Sequence, residues 1–173
     1  QGGWNMTLHA ALLENARRSP AHTWLQFEDA ELSYADGESL TARIARNLVR
    51  QGVSPGDRVA LLFANCPELM LAYFACFRAG AIAVPLNTRF QVPELVYALG
   101  HSGTTVLIGQ PDLVAPLLAV RDQLPTLARI FVTGEVLVGA ESFVALSADA
   151  DAALPEVAES QLAVILYTSG TTS

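Results

Sequence analysis

Hydrophobic and polar positions alternate along this chain in two rhythms, one of period two or continuous, the other of period 3.6, and they follow each other in turn. Leu8 to Arg18 places Leu8, Leu12 and Leu13 with alanines on one side and has Thr7 as an N-cap, which predicts an amphipathic helix ended by Ser19 and Pro20. Thr23 to Phe27 and Glu31 to Tyr34 read as two short strands of a hairpin. From Asp36 to Gln51 the residues Leu40, Ile44, Leu48 and Val49 recur at helical spacing, and Gly52 stands where a helix ends. Residues 58–64 (RVALLFA) form a run apolar on both faces, followed by a helix from Glu68 to Ala79, opened by Pro67 and closed by Gly80.

The alternation continues. Residues 81–86 are a third buried run, Val92 to Leu99 a helix closed by Gly100, residues 104–109 a fourth run, Pro111 to Leu124 a helix, and Arg129 to Val132 a strand. Strand and helix succeeding each other at these lengths predict an α/β fold, a parallel sheet flanked by helices with right-handed connections. Residues 134–160 break the rhythm with Ala, Asp, Glu and Ser; they read as a surface connection carrying one strand from Ser142 to Leu146. The chain then returns to a buried strand, Ala163 to Tyr167.

That strand stops at a cluster of hydroxyls. Thr168, Ser169, Gly170, Thr171 and Thr172 offer uncharged donors with almost no bulk, and Gly170 lets the main chain approach a ligand closely. Such a loop suits phosphate oxygens. A polar turn after a strand has the same composition, and the lysine of the GxxxxGK[ST] phosphate loop is absent from the residues present.

Composition narrows the setting. The 173 residues are 51% hydrophobic, enough for a substantial core and more than a disordered chain carries. A net charge of −7, with ten Lys and Arg residues and no basic run, argues against nucleic acid or an anionic membrane as partner. No stretch reaches the roughly 18 apolar residues of a membrane span. The only cysteines, Cys66 and Cys76, lie ten positions apart on one predicted helix, about 15 Å along its axis and too far to bridge, so two free thiols and a cytoplasmic location are expected. His9, His22 and His101 lack metal-ligand spacing and read as solvated or helix-end residues. The high apolar fraction also fits a piece of a larger domain, whose exposed apolar surface the remainder, or a second copy, would cover.

Five segments in order carry a resemblance. LSYAD (32–36), GVSPGDRVALLFANCPE (52–68), RAGAIAVPLNTRF (78–90), ELVYAL (94–99) with Ser102, and ILYTSGTT (165–172) resemble successive motifs of the AMP-forming adenylation superfamily of acyl-CoA synthetases, luciferases and peptide-synthetase adenylation domains. Two positions depart: Gly37 stands for an expected leucine, and Ser173 for an expected glycine.

The resemblance implies the first subdomain of the large N-terminal domain of adenylate-forming enzymes, with residues 1–31 an N-terminal helix and strand and 32–173 the α/β subdomain ending at the phosphate loop. It implies a ligase that uses ATP and Mg²⁺ to turn a carboxylic acid into an acyl-adenylate and passes the acyl group to CoA, fatty-acid activation being one such use. Thr168, Ser169, Gly170, Thr171 and Thr172 become ATP phosphate-binding residues; no catalytic or metal-ligating residue is expected in this stretch. The PLN at 85–87 is closer to acyl- and aryl-CoA synthetases than to peptide-synthetase domains. The competing expectations are a peptide-synthetase adenylation domain and a stand-alone nucleotide-binding or protein-interaction module.

Overall fold

The structure, a computed structural model, describes residues 6–168. A five-stranded parallel sheet has the order β4-β3-β5-β6-β7, where β3 is Arg58–Leu62, β4 Ile82–Pro85, β5 Val106–Gly109, β6 Arg129–Val132 and β7 Glu141–Ser142. A separate antiparallel hairpin, β1 (Thr23–Phe27) with β2 (Ala30–Ser33), precedes it. The expected parallel α/β sheet is present, and it is covered on both faces.

Alternation along the strands sorts the core into two. Val59, Leu61, Ala83, Val106, Ile108 and Phe131 face one side with α2 (Tyr34–Arg50), α3 (Pro67–Ala79) and α6 (Val144–Ser147). Ala60, Leu62, Val84, Leu107, Ile130 and Val132 face the other with α4 (Val92–Ser102) and α5 (Pro111–Leu118). The connection leaving β3 therefore runs over one face, and those leaving β4 and β5 over the other. A crevice opens where neighbouring connections diverge, at the carboxyl ends of the strands.

Local chemistry fixes the helix ends. Thr7 caps α1 (Leu8–Arg18) by accepting the Ala10 N–H. Ser33 and Asp36 form a reciprocal capping box, so α2 begins at Tyr34, two residues before the expected start, and the second hairpin strand ends at Ser33. Helix α4 runs past Gly100 to Ser102; Gly103, at φ 64°, takes the left-handed turn, with the Thr104 N–H closing on the Leu99 carbonyl. Helix α5 is shorter than the expected Pro111 to Leu124, because Pro116 removes a backbone donor from its interior. The chain goes on through a 3₁₀ turn at Arg121–Gln123 whose Arg121 donates to the carbonyls of Leu124 and Leu127.

Two further expectations are corrected. Residues 142–146 are not a strand: β7 is Glu141–Ser142, and Val144–Ser147 is a helical turn. Nor is 134–160 only a surface connection, since Phe143 and Leu146 are buried in the first core and the Asn47 amide donates to the Leu146 and Ala148 carbonyls.

Gly37 is explained by its neighbour. It is buried in α2, and a Cβ there would lie 2.1 Å from Cε3 of Trp24, whose indole meets Phe74 edge-on at 5.2 Å. Gly37→Ala is expected to displace the indole and cost about 1–3 kcal/mol in urea denaturation, with a changed Trp24 emission.

His9 is half-buried on α1, and its burial, followed by the nearby Arg78 charge, lowers its pKa from the ordinary 6.5. Between that lowered value and 6.5 the unfolded chain binds a proton that the folded chain refuses, so stability is full above pH 6.5 and falls as the pH drops through it. His9→Gln should flatten that acid limb in thermal melts followed from pH 7.5 to 5.

Candidate functional site

The site is assembled at the carboxyl end of the sheet. Residues 163–168 run parallel to β4 on its outer side, tied by the Ala83 N–H to the Ala163 carbonyl and the Ile165 N–H to the Ala83 carbonyl. Ile165 and Tyr167 pack on the second core and Val164 on the first, so side chains alternate as in a strand. The expected buried strand is corrected to a partly covered edge: a single bridge joins Val164 to Ala83, and Leu162 and Leu166 are 67% and 72% exposed. An apolar composition is common to interior and edge strands, and only neighbours on both sides make the former.

Thr168 is exposed at the end of this edge strand, above a groove of about 340 Å³ that it lines with Phe90, Pro93, Glu94, Tyr97, Ala98 and Tyr167. Ser169, Gly170, Thr171 and Thr172 lie outside the described residues. Of the five expected phosphate-binding residues the structure thus places one, at the end of the sheet where ligands of parallel α/β folds bind. The edge strand and β4 run the same way, so Thr168 lies beyond the carboxyl end of β4.

His101 is the exposed helix-end residue expected of it, in the last turn of α4, but its partners were not foreseen. Its Nδ1 is 2.8 Å from the Tyr167 hydroxyl, its ring stacks with Tyr97 at 5.4 Å and 20°, and it meets the Tyr167 ring edge-on at 5.9 Å. The spacing of Tyr97 and His101, four apart on α4, put both on one face and was the available signal.

A second groove, of about 490 Å³, lies over the divergence between β3 and β5 and is lined by Ala64, Thr88, Gln110, Thr133 and Gly134 among others. Here the Gln110 side-chain oxygen accepts the Ala64 N–H at 2.8 Å, and the backbone at Gly109 leaves no room for a side chain, since a Cβ would fall 2.6 Å from the Leu62 carbonyl oxygen. Asn87 is occupied in its own turn, its Oδ1 accepting the Arg89 N–H.

Neither thiol is poised for chemistry. Cys76 is fully buried, which pushes its pKa up to about 12, and desolvation raises Cys66 at the start of α3 as well. An aromatic disulfide reagent should label Cys76 only on unfolding and Cys66 more slowly than a free thiol. Among the described residues no three His, Cys, Asp or Glu side chains are grouped to hold a metal ion, and no helix is long and apolar enough to cross a membrane.

The comparisons agree with this geometry. A feruloyl-CoA synthase of Amycolatopsis is 44% identical over 120 residues, covering 68% of this chain and 24% of its own. An indoleacetate–CoA ligase of Aromatoleum aromaticum is 35% identical over 169 residues, 96% of this chain and 33% of that one. The solved N-terminal domain of FACL13 from Mycobacterium tuberculosis superposes with a TM-score of 0.80 at 33% identity, over 96% of this chain and 42% of its own. The chain thus spans about a quarter to a third of the length of these curated relatives. The family model described as AMP-binding enzyme matches residues 12–173, and the chain belongs to that family.

Proposed function

We propose that this chain is the amino-terminal part of an ATP-dependent acid–thiol ligase that activates a carboxylic acid as its acyl-adenylate and transfers the acyl group to CoA. The observation that carries the reading is the delivery of Thr168, at the head of a hydroxyl-rich segment, to the carboxyl end of a parallel sheet in a member of the AMP-binding family. In the first step a carboxylate oxygen attacks the α-phosphorus of ATP, the bond to the bridging oxygen breaks, and pyrophosphate leaves. Thr168, Ser169, Gly170, Thr171 and Thr172 would hold the β- and γ-phosphates, where charge gathers as that bond breaks. Donors already aimed there stabilise the transition state beyond the ground state.

Mg²⁺ is held in such sites largely by substrate phosphates and water, so it requires no protein cage, and when bound it neutralises charge on those phosphates. Attack by the CoA thiolate on the acyl carbon then releases AMP.

The aryl and indolyl names of the two relatives favour an aromatic carboxylic acid as substrate. We assign the exposed Leu162 and Leu166 to contact with the rest of the polypeptide rather than to an oligomer interface. The free cysteines fit a cytoplasmic setting. Residues 1–31 and the α/β subdomain of 32–173 would then be two parts of that enzyme's N-terminal domain. The test is acid-dependent exchange of labelled pyrophosphate into ATP by the complete enzyme across aryl, long-chain and amino acids. Exchange with an aryl acid followed by CoA thioester formation is the expected result. Exchange confined to amino acids, with no thioester, overturns the CoA step.

A further inference from the structure

We propose that His101 is a positioning residue, holding the Tyr167 hydroxyl so that the chain leaves the sheet edge in the direction that brings Thr168 to the phosphates. This rests on the ATP-phosphate reading above and adds a residue to it.

The case begins with how little else holds this stretch. Among the described residues the last backbone hydrogen bond along the edge strand is from the Ile165 N–H to the Ala83 carbonyl. Leu166 is 72% exposed. Beyond it the Tyr167 ring packs on the second core, and its hydroxyl meets His101 Nδ1 at 2.8 Å, one residue before Thr168. With the ring proton on Nε2, Nδ1 accepts the phenolic O–H.

His101 is exposed, but the backbone that carries it is held. It sits in the last turn of α4, and the end of that helix is gripped from β3: Arg58 donates through Nε to the Ser102 carbonyl at 2.7 Å and through its terminal nitrogens to Gly103 at 3.1 Å and Gly56 at 3.0 Å. The guanidinium thus meets the negative end of the helix dipole. One turn back, Tyr97 stacks on the imidazole and limits its rotation. Three rings on two elements therefore form one clamp, built on the sheet through Arg58 and ending at Tyr167. A surface hydrogen bond by itself contributes little. Its value here is directional, because the group it fixes is the last one before the hydroxyl cluster.

The test uses the complete enzyme, with pyrophosphate exchange measured at saturating acid and varied ATP. His101→Ala should lower kcat/KM for ATP about three- to tenfold, leaving the KM for the acid and the melting temperature unchanged. His101→Asn, whose amide oxygen falls near the place of Nδ1, should recover most of it. Tyr167→Phe should match His101→Ala, and the double variant should be no worse than either single one. A wild-type rate in His101→Ala, or losses that add in the double variant, overturns the proposal while the adenylation reading stands. No exchange by the wild type with any acid overturns that reading, and the positioning role with it.

Discussion

Alanine at Thr168, Ser169, Thr171 and Thr172 together is expected to lower kcat for pyrophosphate exchange by about 100- to 1,000-fold, with the melting temperature nearly unchanged. Thr168 is exposed, so removing its hydroxyl takes nothing from the core. On the proposed reading, what is lost is a set of donors to the oxygens on which charge grows as pyrophosphate departs. Only preferential binding of the transition state accelerates the step. Stopped-flow release of pyrophosphate measures the effect directly. A loss confined to KM for ATP would mean that the hydroxyls bind ATP without serving the chemical step.

Asn47→Ala is expected to cost about 3–4 kcal/mol of folding stability, read from urea denaturation. Asn47 is 5% exposed, and its amide donates at 2.8 Å to each of the Leu146 and Ala148 carbonyls. These bonds stitch the turn after β7 to α2, across about a hundred residues of chain. Truncation leaves two carbonyls without their donor and loosens Phe143 and Leu146 from the core. For a domain whose total stability is of the order of 5–15 kcal/mol this is a large fraction. Asn47→Asp should be at least as costly, since a carboxylate would face the same oxygens.

The sheet was legible in the sequence where strands are buried on both sides. β3, β4 and β5 are apolar runs between glycine and proline turns, the pattern of strands buried on both faces. The Ser33 and Asp36 box, S-x-x-D in the sequence, was passed over, and it moves the start of α2. The turn at 144–147 was not legible, because its two buried side chains stand among polar neighbours and its partner amide lies on α2. The edge strand was misjudged for a related reason: burial of 163–167 depends on what lies beyond its free side.

At the candidate site residue types singled out the hydroxyl cluster, of which Thr168 is described, and the five ordered segments gave the family that the comparisons bear out. The His101 and Tyr167 pair was not readable. Its members are 66 positions apart, and only the sheet order, which lays the edge strand beside β4, brings them together.

The central claim is that the sheet edge ending at Thr168 carries ATP's outer phosphates. A crystal structure of the complete enzyme with α,β-methylene-ATP tests it most directly. The expected result is β- and γ-phosphate oxygens within about 3 Å of the hydroxyls and N–H groups of residues 168–172. Phosphates bound elsewhere, with that segment turned away from them, would contradict the account.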